Sequence, residues 1–192
     1  MNQVASIKKT FPVNTASTAE EKMSEIVKSL APLRFEGKGH YNSTPERLFA
    51  MISEQENLHK WLAMLKRVKM DHSHSDRNAQ CGVGSVRQCS FAGMGDVEEN
   101  IIWWTPPHSY GFRFSPKGLG KMMMPTTDHV VSFSVESDGK GGSIFTLSTY
   151  FNWRGNFMRH MAVHMMPMML NMSMTNLQKV LGGAGGKMRG IS

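Results

Sequence analysis

The sequence lacks the features that mark several large classes of protein. Its 192 residues include two cysteines, Cys81 and Cys89, too few for a disulfide-rich secreted domain, so free thiols are the expected state. No run of about 18 apolar residues is present, which excludes a transmembrane helix. Lys8 and Lys9 are not followed by an apolar stretch, so no secretory signal is predicted. We therefore expect a cytoplasmic protein.

The common catalytic and metal-binding motifs are also missing. There is no Gly-x-Ser-x-Gly, no phosphate-binding loop and no zinc-type cysteine pair. His160 and His164 have the four-residue spacing of a helical metal pair, but no acidic residue lies between them. They share the polar side of a predicted helix, and His72 and His74 adjoin a polar loop, so all four are expected at the surface. We predict neither a metal site nor a cofactor.

The charge is positive but not concentrated. The net charge is +7, from 22 basic and 15 acidic residues. The densest basic cluster is Lys60, Lys66, Arg67 and Lys69. Such a cluster is compatible with peripheral contact with an anionic membrane, although a solvated basic face is the simpler interpretation. Nucleic-acid binding is not expected, because the other basic residues are scattered.

Methionine is unusually frequent, with 18 residues, of which eight lie between Met158 and Met174. Its unbranched, polarizable side chain adapts to irregular partners, and it is common on surfaces that bind varied apolar molecules. Two interpretations follow: methionine fills an ordinary core in place of leucine, or it lines a binding cavity.

The spacing of apolar residues along the chain changes from a helical pattern to strand-like alternation and then back to a helical pattern. A capping box at Ser17 and Glu20 starts a short amphipathic helix that ends before Pro32. One strand, two short helices and six further strands follow, and a long helix over 157–181 comes last, with Pro167 inside it. The predicted strands are 33–41, 65–72, 83–91, 96–105, 108–115, 127–137 and 143–154.

This order predicts an α+β domain over 33–181, preceded by an extension over 1–32 and followed by a flexible tail over 182–192. Each strand has one apolar face, and a single long helix remains to cover the concave side of the sheet. A curved sheet around one helix leaves space between them unless side chains fill it. The predicted helix face toward the sheet contains Met161, Met165, Met168, Met169 and Met172.

Five segments resemble, in order, the SRPBCC superfamily with its START-like helix-grip fold, and within it the polyketide cyclase/dehydrase and coenzyme Q-binding-like proteins. They are Tyr-Asn-Ser-Thr-Pro-Glu-Arg-Leu-Phe at 41–49, Leu-His-Lys-Trp at 58–61, Gly-Val-Gly-Ser-Val-Arg at 82–87, Glu-Glu-Asn-Ile at 98–101 and Pro-Pro-His-Ser-Tyr at 106–110. The resemblance implies a curved antiparallel sheet of about seven strands around the C-terminal helix. It also implies a cavity for apolar small molecules, since family members include lipid and quinone carriers as well as enzymes.

The resulting functional hypothesis is a non-catalytic binder of a hydrophobic small molecule, such as a lipid, quinone or polyketide-like compound. One alternative is a cyclase- or dehydratase-type enzyme, and another is an interaction protein that binds a partner or an anionic membrane. An enzyme would need an acid–base group on the cavity wall. The candidates for that group are Glu99, Arg113, His129, Tyr150 and Asn152.

The inward face of the strand that carries Glu99 is ambiguous, because Trp103 and Trp104 give it apolar residues on both parities. The residues expected to line the cavity combine the aromatic and aliphatic face of the sheet with the methionine face of the helix. They are Trp61, Glu99, Phe112, Phe133, Leu147, Phe151, Met161, Met165, Met168, Met169 and Met172.

Overall fold

The computed structural model describes residues 31–118, 121, 126–154 and 159–191, and for residues 159–162 it describes the backbone alone. The predicted N-terminal helix, most of the segment 116–125, and the side chains of His160 and Met161 therefore lie outside the described residues.

The described elements follow the predicted order closely, and their ends coincide with the turn and capping residues of the sequence. The strands are β1 Leu33–Tyr41, β2 Leu65–Asp71, β3 Val86–Phe91, β4 Gly95–Thr105, β5 Ser109–Pro116, β6 Thr126–Ser137, β7 Ser143–Trp153 and β8 Ala184–Gly190, and the helices are α1 Pro45–Ser53, α2 Gln55–Trp61 and α3 Arg159–Leu181.

The strands form one antiparallel sheet in the order β2-β3-β4-β5-β6-β7-β1-β8. Strands β2 to β7 pair with their neighbours in sequence, and β1 then adds beside β7. Alternating burial along β1 shows why these residues form strands: Phe35, Gly37, Gly39 and Tyr41 face the core, whereas Lys38 and His40 face solvent. The helix-grip architecture predicted from the sequence is confirmed.

Helix α1 packs on β6 and β7, and α2 packs on β2 and α3. The Thr44 hydroxyl accepts a hydrogen bond from the Arg47 amide at 3.4 Å, and Pro45 occupies the first turn of α1, where its missing donor is not needed. Glu54 is extended (ψ 136°) and separates the two helices. The fully buried side chains of Ile52 and Trp61 then anchor this pair in the core.

Helix α3 lies on the concave face of the sheet, and its C-terminal half is the part that is packed tightly. Met174 and Leu177 are fully buried, and Leu181 is nearly so. The Tyr41 hydroxyl donates to the Met174 carbonyl oxygen at 3.4 Å, which ties this half of the helix to β1. Gly182 and Gly183 follow with positive φ (76° and 95°), the backbone conformation that ends many helices.

A β-bulge in β4 explains why the parity of that strand was ambiguous. Ile101 pairs with Phe112, but Trp103 pairs with Gly111, so Ile102 is an extra residue. Beyond the bulge the faces exchange: Trp103 packs on the outer side of the sheet, whereas Trp104 joins the main core. Before it, Glu99 and Ile101 face inward.

The prediction of a flexible tail is wrong for 184–190, because these residues form strand β8 beside β1. Met188 pairs with Gly37 and is 7% exposed, and a Cβ at Gly37 would collide with the Met188 sulfur. Glycines at 182, 183, 185 and 186 indicated a loop, but a Cβ at Gly183 or Gly186 would collide with the backbone of β1, so these two glycines allow the close approach. None of the described helices has both the length and the apolar character to cross a bilayer.

Replacing Met188 with alanine should lower the free energy of unfolding by about 2–5 kcal/mol, because it empties a buried position between β8 and β1. Arg189→Ala, at an exposed neighbouring position on the same strand, should change it by less than about 0.5 kcal/mol. Urea unfolding measures both values. Equal, negligible effects would show that β8 does not pack in solution.

Candidate functional site

A cavity of about 190 Å³ lies between the concave face of the sheet and the N-terminal half of α3. A single water needs about 10–15 Å³ of such space, so the cavity is large enough for a small organic molecule. Its exposed wall is mostly carbon: aromatic and aliphatic side chains surround a few polar atoms.

The sheet supplies one wall through residues that alternate along β5, β6 and β7. Period-two alternation places them on the concave face, because neighbouring side chains point to opposite sides of a sheet. Rings pack edge to face here: the centroids of Phe112 and Phe133 are 5.6 Å apart, and Trp61 of α2 lies 5.9 Å from Phe133. The residues of these strands that line the cavity are Phe112, Phe114, His129, Val131, Phe133, Leu147 and Thr149.

Helix α3 supplies the opposite wall through Met165, Met166, Met169, Leu170 and Ser173. The Ser173 hydroxyl accepts a hydrogen bond from the Ala63 amide at 3.0 Å and donates one to the Met169 carbonyl oxygen at 3.2 Å. This serine joins the chain after α2 to the middle of α3. Met165 is 44% exposed, so it lies at the edge of the cavity rather than inside it.

The predicted helix face was partly wrong. Met165 and Met169 line the cavity, but Met168 and Met172 are 56% and 47% exposed and lie on the outer side of α3. Methionines occur all around this helix, so their spacing did not define one face, and the polar Ser173 concealed the inward side. The predicted role of Met161 concerns a side chain outside the described residues.

Of the other predicted lining residues, Trp61, Glu99, Phe112, Phe133 and Leu147 do line the cavity. Phe151 does not: it is fully buried behind the cavity wall, with its ring centroid 5.0 Å from that of His129. Strand alternation places both His129 and Phe151 on the inward face, but it does not tell which of the two reaches the cavity; His129 does.

The Glu99 carboxylate reaches the cavity but is held by an ion pair. The Arg87 guanidinium donates through Nε to Glu99 Oε2, and both side chains are almost completely buried. The Arg87 guanidinium carbon also lies 5.0 Å from the Phe112 ring centroid, a cation–π arrangement. The Cys89 thiol faces the same carboxylate at 3.9 Å, and burial, with the nearby Glu99 charge, raises its pKa to about 12. Cys89 is therefore a thiol at neutral pH, not a thiolate nucleophile.

His129 is the second titratable group on the wall. It is 5% exposed and lies between the rings of Phe114 and Phe151, whose centroids are 4.9 and 5.0 Å from its own. Burial lowers its pKa to about 3, because the imidazolium form would lose its hydration in this apolar surrounding. His129 is therefore neutral, and Nδ1 lies 3.4 Å from the Thr126 hydroxyl.

The other acid–base candidates do not face the cavity. Arg113 is exposed, and Tyr150 packs in a small cluster with Ala31, Trp103 and Val130 on the outer side of the sheet. The Asn152 amide donates to Asp128 Oδ2 at 3.2 Å near the surface. Glu99 and His129 thus remain as the groups of that set that a cavity ligand would meet.

Cys81 and Cys89 are free, as expected from the sequence. His164 and His74 are exposed, while half-buried His72 lies 3.0 Å from the Ser85 hydroxyl. Within the described part of the chain, no three His, Cys, Asp or Glu side chains are grouped as a metal site would require.

The basic cluster Lys66, Arg67 and Lys69 is exposed on edge strand β2, in a surface groove that also contains Asp96 and Glu98. Lys117 forms an ion pair with Glu98 at 3.2 Å in the same groove. The groove therefore carries charges of both signs.

Several lining residues were not among those predicted. Val131 and Thr149 share the parity of Phe133 and Leu147, so strict alternation would have found them. Met94, at the turn between β3 and β4, and Leu62, after α2, had no comparable signal, because tertiary packing alone brings their loops to the cavity. The additional lining residues among those described are Leu62, Ala63, Phe91, Gly93, Met94, Phe114, Val131, Thr149, Met166, Leu170 and Ser173, together with His129, which was predicted only as a candidate acid–base group.

The profile of the family described as "Polyketide cyclase / dehydrase and lipid transport" matches residues 32–182. The chain belongs to this family. The match covers β1 to β7 and all three described helices but not β8, and it confirms the resemblance to the SRPBCC superfamily. No curated protein sequence is similar enough to count as a match.

Solved structures of low sequence identity share the fold of this family member. Protein XoxI from Bacillus cereus is 14% identical, with a TM-score of 0.59 over 77% of this chain and 95% of its own. Norcoclaurine synthase from Thalictrum flavum, in complex with dopamine and hydroxybenzaldehyde, is 12% identical, with a TM-score of 0.57 over 81% and 90%. Ara h 8.0201 is 14% identical, with a TM-score of 0.56 over 77% and 97%.

Removing one partner of the buried ion pair should be far more damaging than removing one partner of the surface pair. Glu99→Gln leaves the Arg87 charge buried without a counterion and should lower the free energy of unfolding by about 3–5 kcal/mol. Glu98→Gln, which breaks the exposed pair with Lys117, should cost about 0–1 kcal/mol. Urea unfolding at neutral pH makes the comparison. Similar small losses would mean that Arg87 and Glu99 are hydrated in solution.

His129 should make the protein less stable as the pH falls. Its pKa is about 3 when folded and 6.5 in the reference state, so between these values the unfolded chain binds the extra proton. The contribution of neutral His129 to the free energy of unfolding is fully present above pH 6.5 and declines toward pH 3, by up to about 1.4 kcal/mol per pH unit.

His129→Phe should flatten the dependence of the unfolding free energy on pH between 6.5 and 4. His164→Asn, at an exposed position, should leave it unchanged. Chemical unfolding across this range measures both, and the same slope in the parent and in His129→Phe would show that His129 is protonated in the folded protein.

Proposed function

We propose that this protein binds a hydrophobic small molecule, of the lipid, quinone or polyketide-like kind, in the cavity between the sheet and α3, without catalysing a reaction on it. The observation that carries the proposal is the cavity itself: a space of about 190 Å³ with a predominantly apolar wall, in a member of a family whose description includes lipid transport.

The driving force would be burial of the ligand. Each Å² of apolar surface removed from water contributes roughly 25 cal/mol, so a ligand that fills this space would gain several kcal/mol before the cost of immobilisation. Rings on the sheet side, Phe112 and Phe133 among them, offer flat surfaces to planar molecules, and their positions are fixed by mutual packing.

The helix side would supply adaptability. Met166 and Met169 are half-buried, and Met165 is exposed at the cavity edge. Methionine changes rotamer at little cost, so this wall can adjust to molecules of different outline. The methionine-rich helix and the aromatic sheet would therefore have different roles, one adaptable and one rigid.

Acid–base catalysis, as in a cyclase- or dehydratase-type enzyme, is supported by one observation: Glu99 and His129 both reach the cavity. Two other observations favour binding. The Glu99 carboxylate is already paired with the Arg87 guanidinium, and the low pKa of His129 keeps its imidazole uncharged at neutral pH, so it has no imidazolium proton to donate.

The groove around Lys66 contains both basic and acidic side chains, so it gives little support for contact with an anionic membrane.

Neighbouring methionines on α3 provide a matched test. Met169 lines the cavity and Met168 points away from it, so Met169→Trp should fill the space whereas Met168→Trp should not. We expect Met169→Trp to weaken binding of N-phenyl-1-naphthylamine, a neutral apolar fluorophore, by at least about tenfold, because the indole would fill the space that the fluorophore needs.

The measurement is a fluorescence titration of the parent and both variants, with thermal unfolding to confirm that each is folded. Met168→Trp should bind as the parent does. Absence of probe binding to the folded parent, or equal weakening by both substitutions, would contradict the proposed function.

A further inference from the structure

Three residues that line the cavity each carry a buried polar atom with no hydrogen-bond partner among the described residues: His129 Nε2, Thr149 Oγ1 and Trp61 Nε1. His129 and Thr149 are 5% and 2% exposed. A buried donor or acceptor without a partner costs about 1–3 kcal/mol, so such atoms are rare unless something else satisfies them. Here all three belong to residues that line one cavity.

His129 and Thr149 belong to the same patch of the wall. Thr149 of β7 pairs with Val131 of β6, and His129 lies two residues before Val131 on the same face. The two polar groups are therefore diagonal neighbours on adjacent strands, which puts both within reach of one end of a ligand. Trp61 approaches the cavity from α2.

The backbone of β6 is irregular where it presents His129. Thr127 pairs with Asn152 and Val130 with Tyr150, so the strand contains one extra residue, and Asp128 has a positive φ of 52°. A non-glycine residue in this conformation is uncommon, and bulges next to binding sites redirect side chains. The bulge therefore adjoins His129, one of the residues that carries an unpartnered buried atom.

The charges of the groups on the cavity wall restrict the kind of ligand that can bind. Glu99 is neutralised by Arg87, and His129 is uncharged at neutral pH, so the polar groups on this wall carry no net charge. A ligand with an ionised end would lose its hydration without gaining a counterion, whereas a neutral oxygen could accept from or donate to the groups present.

We propose that the cavity selects an amphipathic ligand with a neutral hydroxyl or carbonyl oxygen, which forms hydrogen bonds to His129 and Thr149 while its apolar body lies along the methionine wall. This inference rests on the proposed function. It adds the class of polar group that the ligand carries and the orientation of the ligand in the cavity.

The test compares three naphthalenes of similar shape: 2-naphthol, 2-methylnaphthalene and 2-naphthoate. Each competes with N-phenyl-1-naphthylamine for the parent protein at pH 7. We expect 2-naphthol to bind about fivefold or more tightly than 2-methylnaphthalene, the ratio that one net hydrogen bond supplies, and 2-naphthoate to bind most weakly.

Two substitutions link this preference to the residues. Thr149→Val keeps the side-chain shape and removes the hydroxyl, and His129→Phe keeps a ring and removes the nitrogens, so each should reduce the preference for 2-naphthol. Thr146→Val makes the same chemical change on the opposite face of β7 and should preserve it.

If the fluorophore binds but 2-naphthol has no advantage in the parent, or if the advantage persists in both Thr149→Val and His129→Phe, the inference is overturned and the proposed function stands. Tightest binding by 2-naphthoate would also overturn it. If neither the fluorophore nor any naphthalene binds the folded parent, the proposed function fails, and the inference fails with it.

Discussion

The unequal packing of α3 is the constraint on which the rest of the structure depends. Its C-terminal half is held by burial of Met174 and Leu177, and by the hydrogen bond from Tyr41. In its N-terminal half no described side chain before Ser173 is fully buried, and Met165 is 44% exposed. A helix cannot follow a curved sheet along its whole length, so contact at one end leaves space at the other. The cavity occupies that space, under the methionine-rich half of the helix.

The polar groups around the cavity follow from the same geometry. Aromatic rings on a curved surface do not fill it completely, and the gaps admit side chains such as Glu99 and His129 that a dense core would exclude. Their charges are controlled by different means: an ion pair with Arg87 for the carboxylate, and burial for the imidazole. The result is a wall with hydrogen-bonding capacity and little net charge, which suits recognition of a neutral ligand better than proton transfer.

Much of the fold could be predicted because strand alternation is a strong local signal, and the sheet face of the cavity was found from Phe112, Phe133 and Leu147. A bulge limited this reasoning. At Ile102 one extra residue exchanges the faces of β4, and the sequence showed only that apolar residues lie on both parities there. On α3, methionine on all sides hid the true face, so Met168 and Met172 were assigned inward while Ser173 was overlooked. The glycine-rich strand β8 lacked the usual apolar pattern because its backbone, more than its side chains, approaches β1.

Methionine methyl groups offer the most direct test of the central claim, that an apolar molecule binds between the N-terminal half of α3 and the sheet. The measurement is a carbon–proton NMR titration of methyl-labelled methionines with N-phenyl-1-naphthylamine. We predict saturable shifts for Met94, Met166 and Met169, which line the cavity, and none for Met168 and Met172 on the outer side of the helix. Shifts confined to Met168 and Met172, or no shifts at saturating probe, would contradict the account.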